Sequence, residues 1–194
     1  MSNHLILASS SPRRQALLKQ VNIPFTVRKT DVDESQITTN DPVEKVKQLS
    51  MLKGKATSLL DDREVILSAD TVVSFDHQIL EKPKDKQDAH RMLSLLSGSV
   101  HEVFTGVTIR SAEKEITFAQ ETEVEFWSLT ESEIEEYISS GEPFDKAGAY
   151  GIQGLGAMLV KKINGDYFNV MGLPISRVCR ELKGFFPWIN NSGN

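Results

Sequence analysis

The chain has 194 residues, enough for one substantial core in one or two lobes and short for two full domains. Its 39% apolar and 25% charged content is that of an ordinary globular protein, and its net charge of -5 argues against the basic surplus of a duplex-DNA binder. One cysteine, Cys179, excludes an internal disulfide and points to a reducing, cytoplasmic setting; together with four scattered histidines it leaves little for a zinc cluster, and no apolar run is long enough to span a bilayer.

Leu5 to Ala8 predicts a short buried strand. Three serines follow. Ser11 stands where a helix N-cap belongs, and Pro12 suits the first helical position. The helix that opens there carries Arg13 and Arg14, so free backbone N–H groups, a positive dipole end and two forked guanidinium groups are clustered together. Two readings fit this segment: a polyphosphate cradle, or a capped helix with two solvated arginines. Pro24 to Arg28 predicts a second strand, and residues 31–35 an acidic loop. From Pro42 to Leu60 the apolar residues keep three- and four-residue spacing, which predicts an amphipathic helix weakened slightly by Gly54.

Val65–Leu67 and Thr71–Phe75 predict two strands separated by Ser68, Ala69 and Asp70, followed by a turn at Asp76–His77 and a helix from Asp85 to Leu96 that ends at Gly98. Val100–Arg110 and Ile116–Trp127 predict an antiparallel ribbon. Thr130 and Glu133 form a capping-box pattern that opens a helix to Ser139. A Gly-rich stretch runs from Gly141 to Gly156. Ala157–Ile163 and Tyr167–Val170 bracket Asn164-Gly165-Asp166 and predict a hairpin, and a last helix follows Pro174. The fold class is α/β: a single domain over residues 1–184, one lobe richer in crossovers and one in hairpins, with a polar tail over residues 185–194.

Asp70 is the most informative carboxylate, because it lies between strand-like runs where Asp is disfavoured. With Glu34 it offers hard oxygen ligands for a divalent cation carried by substrate phosphates; the alternatives are a turn Asp bonded to the backbone and a solvated acidic loop. Lys82 is held extended by Pro83, which suits a lysine facing phosphate or one at a strand end. Lys53 and Lys55 fall on different helix faces, so at most one enters a given cleft. The stretch Asp145 to Gly154 lacks the ending of a P-loop; its small residues would admit a flat ligand, and Gln153 offers one donor and one acceptor to a base edge, unless the stretch is only a surface loop.

The ordered set Leu-Ala-Ser-x-Ser-Pro-Arg-Arg, Asp33-Glu34, Ala69-Asp70-Thr71, Glu81-Lys82-Pro83, Asp145 to Gly154 and Gly172-Leu173-Pro174 resembles the Maf family of nucleoside triphosphate pyrophosphatases over nearly the whole chain. The resemblance implies a mixed, elongated sheet flanked by helices, two lobes around a cleft, and a fold like that of inosine triphosphate pyrophosphatases. It implies cleavage of a nucleoside triphosphate to the monophosphate and pyrophosphate, dependent on Mg or Mn. Asp70 matches the family's catalytic proton acceptor. Arg13, Thr71 and Gln153 match the positions that mark the dTTP/UTP branch, Ser9, Arg14, Lys53 and Lys82 those lining the phosphates, and Glu34 an acid near the metal. Because Thr71 follows Asp70 in an extended segment, its side chain is expected on the opposite face, where it shapes the pocket only through neighbours. Gly54 departs from the Ala usual in relatives. A homodimer is compatible with the resemblance, although no self-complementary patch stands out. The family's septum-formation name keeps open a division regulator that binds without turnover; on the enzymatic reading the role is nucleotide-pool cleaning or control of supply near division.

Overall fold

In the computed structural model, which describes residues 3–29 and 31–186, seven strands form one mixed sheet in the order β2-β1-β3-β5-β6-β7, with β4 added to one edge of β3. β1 (His4–Leu7) leads through helix α1 (Pro12–Gln20) to β2 (Thr26–Val27), and helix α2 (Pro42–Ala56) leads to β3 (Glu64–Phe75). These three strands are parallel, as helical crossovers require. The rest is antiparallel: β4 (Gln78–Leu80), β5 (Val100–Arg110), β6 (Glu115–Phe126) and β7 (Val160–Gly165). Helices α3 (Lys86–Leu96), α4 (Glu131–Ser139), α5 (Tyr167–Val170) and α6 (Ile175–Leu182) complete the fold. The two expected caps form: Ser11 accepts from the Arg14 N–H, and Thr130 and Glu133 make a reciprocal capping box; Asp41 and Asp85 also cap α2 and α3, each accepting from a backbone N–H in the first turn. No helix among the described residues is long and apolar enough to cross a membrane.

Three expectations are corrected. The two strands expected around Ser68–Asp70 are one continuous 12-residue strand, because β5 pairs with it without interruption from Ile66 to Ser74. The expected hairpin at Asn164-Gly165 does not form. Strand β7 pairs back onto β6, Asp166 caps α5 by accepting from Phe168 N–H at 2.8 Å, and the Thr122 hydroxyl ties down the Asp166 carbonyl at 3.0 Å. The polar tail does not begin at residue 185. Phe185 and Phe186 are buried in the same cluster as Leu182, and Asn3 donates to the Phe185 carbonyl at 2.7 Å. The remainder of that tail, residues 187–194, lies outside the described residues.

β3 positions the site. On one edge, β5 accompanies it from residue 66 to 74. On the other edge β1 covers only residues 64–67 and β4 only residues 73–75. Residues 68–72 have no strand partner on that side, so the sheet is notched there. On either side of the notch the same sheet face carries a separate core. One packs Leu7, Leu17, Leu67, Val107 and Val178 under α1 and α6; the other packs Val73, Leu93, Val103, Ile134 and Tyr137 under α3 and α4. These are the two lobes.

Helix α2 covers the opposite face, where Val46 packs with Val72 and Phe104. It lies so close that a Cβ on Gly106 would sit 2.1 Å from the Val46 carbonyl oxygen, and a Cβ on Gly54 2.8 Å from Ser68 Oγ. Glycine at both positions is therefore a condition of the approach. We predict that Gly54→Ala destabilises the fold by about 1–2 kcal/mol although Ala is the better helix former. Ser68→Gly in the same chain removes the obstructing hydroxyl, and a double-mutant cycle in urea should show a favourable coupling of about 1 kcal/mol. A stabilised Gly54→Ala single variant would contradict the packing.

Candidate active site

A cleft of about 640 Å³ opens at the notch, with a second cavity of about 410 Å³ beside it that shares Ser11, Arg13, Arg14, Glu34, Lys53, Lys82 and Asp145. On the α2 side Asp70 stands opposite Gly106 in the register, so the closest approach of the helix lies beside the carboxylate. Lys53, one turn from the end of α2, ion-pairs with Asp70 Oδ1, and its Nζ is 3.0 Å from Glu34 Oε1. Asp70 and Lys53 are largely buried, at 13% and 19% side-chain exposure, whereas Glu34 is 54% exposed on a short 3-10 turn. Asp33 is occupied in capping that turn by accepting from Ser35 N–H, which leaves Glu34 as the acid turned to the cleft. Lys55 points away at 60% exposure, as the helical spacing requires.

The serine loop and the start of α1 form the floor. Ser9 Oγ accepts from Ser11 N–H at 3.2 Å and from Arg14 Nη1 at 3.3 Å. Arg14 Nε donates to the Gly172 carbonyl at 2.7 Å and Nη2 to Thr71 Oγ1 at 3.2 Å. Burial pushes the Arg14 guanidinium below its ordinary pKa and Arg13 adds to that, while Asp70 and Glu34 pull it back up. A guanidinium stays charged through such shifts. Arg13 is freer, with Nη1 3.7 Å from Asp145 Oδ2. Lys82 is exposed at the rim of both cavities and has no polar partner among the described residues, whereas Lys45 pairs with Glu81 at 2.8 Å and Lys146 with Asp145 at 2.6 Å.

The other side of the notch is more apolar: Val73, Val103, Tyr150, Ile152, Val170 and Met171 line it, with Thr71 and Gln153 as polar groups. Thr71 corrects the expectation of an indirect role. It does lie on the face opposite Asp70, but in a strand with an open edge both faces reach the cleft, and Thr71 lines it directly. Its hydroxyl lies 2.9 Å from that of Thr105, which donates to the Asn169 carbonyl at 3.1 Å. Asn169 is fully buried and donates to the Val103 carbonyl and to Thr122 Oγ1, both at 3.0 Å. Thr105 and Asn169 were missed by sequence reasoning, because a threonine inside a strand and an asparagine beside a turn carry no local signal of burial. The structure thus brings together all the expected site residues except that Ser9 lines only the second cavity.

The site thus gathers an acid–lysine–acid group and an arginine-bearing helix start at one notch of a seven-stranded mixed sheet. The chain belongs to the Maf family: the profile described as Maf-like protein matches residues 4–185. A protein of Halalkalibacterium halodurans is 54% identical over 179 residues, covering 92% of this chain and 94% of its own. One from Bacillus cytotoxicus is 51% identical over 180 residues, covering 93% and 94%, and one from Bacillus mycoides 49% over 181 residues, covering 93% and 95%. Each of these three is named dTTP/UTP pyrophosphatase.

The loop bearing Gln153 is anchored from beneath. Tyr150 is buried, meets the His101 ring nitrogen Nε2 through its hydroxyl at 2.7 Å, and packs edge-on with His101 and Phe126. Burial lowers the His101 pKa from 6.5 to about 4. Because the folded value is depressed, this group contributes its full stability above pH 6.5 and loses it as pH falls toward 4, where the unfolded chain takes up the proton first. We predict that stability drops by about 1.4 kcal/mol per pH unit between pH 6 and pH 5 through this histidine, and that His101→Gln flattens the slope by that amount. Urea unfolding at pH 7, 6 and 5 measures it; identical slopes for both proteins would refute it.

Proposed function

We propose that the chain hydrolyses dTTP and UTP at the α–β phosphoanhydride, giving the nucleoside monophosphate and pyrophosphate. The observation that carries this reading is the Asp70 carboxylate, held by Lys53 at an unpaired strand edge, within one cleft with the α1 N-terminus and its arginines. Lys53 takes Oδ1, and Oδ2 has no partner among the described residues. Asp70 Oδ2 then accepts a proton from the attacking water as that water adds to the α-phosphorus and the bond to the bridging oxygen breaks. Arg13 and Lys82 hold the departing pyrophosphate, and the α1 N-terminus adds backbone donors. Arg14, tied at three points, fixes the floor on which these groups converge.

Glu34 and Asp70 fit a divalent cation, Mg or Mn, that arrives with the triphosphate: they are two hard oxygen donors, and no group of three or more His, Cys, Asp or Glu able to hold a metal by itself occurs among the described residues. Such an ion supplies charge neutralisation on the phosphate oxygens when bound. The apolar side of the cleft, with Gln153 and Thr71, suits a pyrimidine ring. The named activity of the relatives supports this substrate choice, and pool cleaning is the cellular role that follows from it.

Pyrophosphate release from dTTP, UTP, CTP and purine triphosphates, with Mg or Mn against a chelator, tests the reading; absence of release from dTTP and UTP with either metal would end it. Asp70→Asn should lower kcat on dTTP by roughly a hundredfold or more while circular dichroism shows an intact fold. Near-normal turnover in that variant would remove Asp70 from its role. Lys82→Ala should lower kcat/KM by about 1–3 kcal/mol equivalents on every triphosphate alike, since it meets phosphate and not base. A loss confined to one base would place Lys82 elsewhere.

A further inference from the structure

The hydrogen bonds behind Thr71 have only one consistent direction. The Asn169 carbonyl is purely an acceptor, so the single hydroxyl proton of Thr105 points to it, at 3.1 Å. Thr105 Oγ1 can then only accept from Thr71, at 2.9 Å, and the Thr71 proton is spent. Arg14 Nη2 donates to Thr71 Oγ1 at 3.2 Å and fills one of its two lone pairs. The relay therefore runs Arg14 to Thr71 to Thr105 to the Asn169 carbonyl. What Thr71 retains for the cleft is one lone pair and no proton. Thr105 is fully buried, and so is Asn169, whose amide is itself anchored on Val103 and Thr122, so the relay has no freedom to reverse.

We propose that Thr105 is a positioning residue for base selection: it locks the Thr71 hydroxyl as an acceptor, so that the cleft receives a pyrimidine bearing a ring N–H and turns away one whose ring nitrogen is a bare acceptor. Uracil and thymine carry that proton on N3; cytosine presents a lone pair at N3, which would face the Thr71 lone pair. The inference rests on the dTTP/UTP reading and adds its chemical cause. Val73, Val103 and Met171 on the same side of the cleft offer no side-chain polar group that could satisfy the mismatch.

The test is the ratio of kcat/KM for UTP over CTP. Thr105→Val keeps the shape and removes the acceptor, which frees the Thr71 proton to rotate toward a base. The ratio should fall about tenfold, through a lower KM for CTP, with kcat on UTP within a few-fold of wild type. Thr105→Ser restores the hydroxyl and should restore the ratio, which a loss of packing alone would not do. If Thr105→Val does not fold, Thr71→Val reports the same contact by removing the acceptor itself, and the ratio should again fall. A ratio unchanged in the folded variant, including the case in which the lone pair meets a sugar hydroxyl instead, overturns the inference while leaving the hydrolysis of UTP standing. A wild-type protein inactive on both UTP and dTTP removes both.

Discussion

The interruption of pairing along one edge of β3 governs the rest of the molecule. A 12-residue strand would ordinarily be sealed on both edges, with its side chains sorted to two separate faces. Here β1 leaves after residue 67 and β4 arrives only at residue 73, so the middle of the strand has an open flank. Two consecutive side chains, Asp70 and Thr71, reach one cleft from opposite faces. Adjacent residues thereby enter one cleft without competing for space, and each draws on a different layer: Asp70 on α2 through Lys53, Thr71 on α1 through Arg14 and on β5 through Thr105.

An open edge is a liability in a sheet, because it offers unpaired backbone groups to other strands. The notch is safe because it is short and recessed between two lobes with their own cores. The close seating of α2 supplies its rigidity. Gly106 lets the helix backbone approach the register position opposite Asp70, so the Lys53–Asp70 pair is set by helix packing and not by a flexible loop. Gly54 and Ser68 show the same interface at close quarters: the helix carries glycine, and the space a Cβ would need is taken by the Ser68 hydroxyl, which donates to the Ser50 carbonyl at 2.7 Å.

Much of this was legible in the sequence, and the exceptions have physical causes. The caps at Ser11 and Thr130 and the ribbon of β5 and β6 were readable because each rests on local chemistry or periodicity. Asp70 read as a break between strands because propensity treats Asp as a strand breaker; burial beside Lys53 outweighs that preference. The Asn164-Gly165 signal marked the end of β7 correctly but not its partner, since pairing is set at a distance by β6 and by Thr122. Phe185 and Phe186 were lost in a polar tail because their burial comes from a cluster with Leu5, Leu7 and Val65, which lie far along the chain. The directed relay through Thr105 and Asn169 could not be read at all, because its polarity depends on which atoms are adjacent in space.

The paired arginines illustrate how one motif divides into two tasks. Adjacent in sequence and both expected at the phosphates, they face different surroundings. Arg14 is half-buried and donates to Ser9, Thr71 and the Gly172 carbonyl, so it joins the serine loop, β3 and the turn before α6 into one frame. A guanidinium is suited to that work, since its planar fork reaches several acceptors in fixed directions and it keeps its charge when desolvated. Arg13 is also partly exposed, and among the described residues its side chain has a single 3.7 Å contact, to Asp145, which an anionic ligand can displace at little cost. One arginine thus sets the geometry and its neighbour remains available to the ligand. The charge of Arg14 still acts across the cleft: burial lowers its pKa, while Asp70 and Glu34 lie near enough for each carboxylate to raise it.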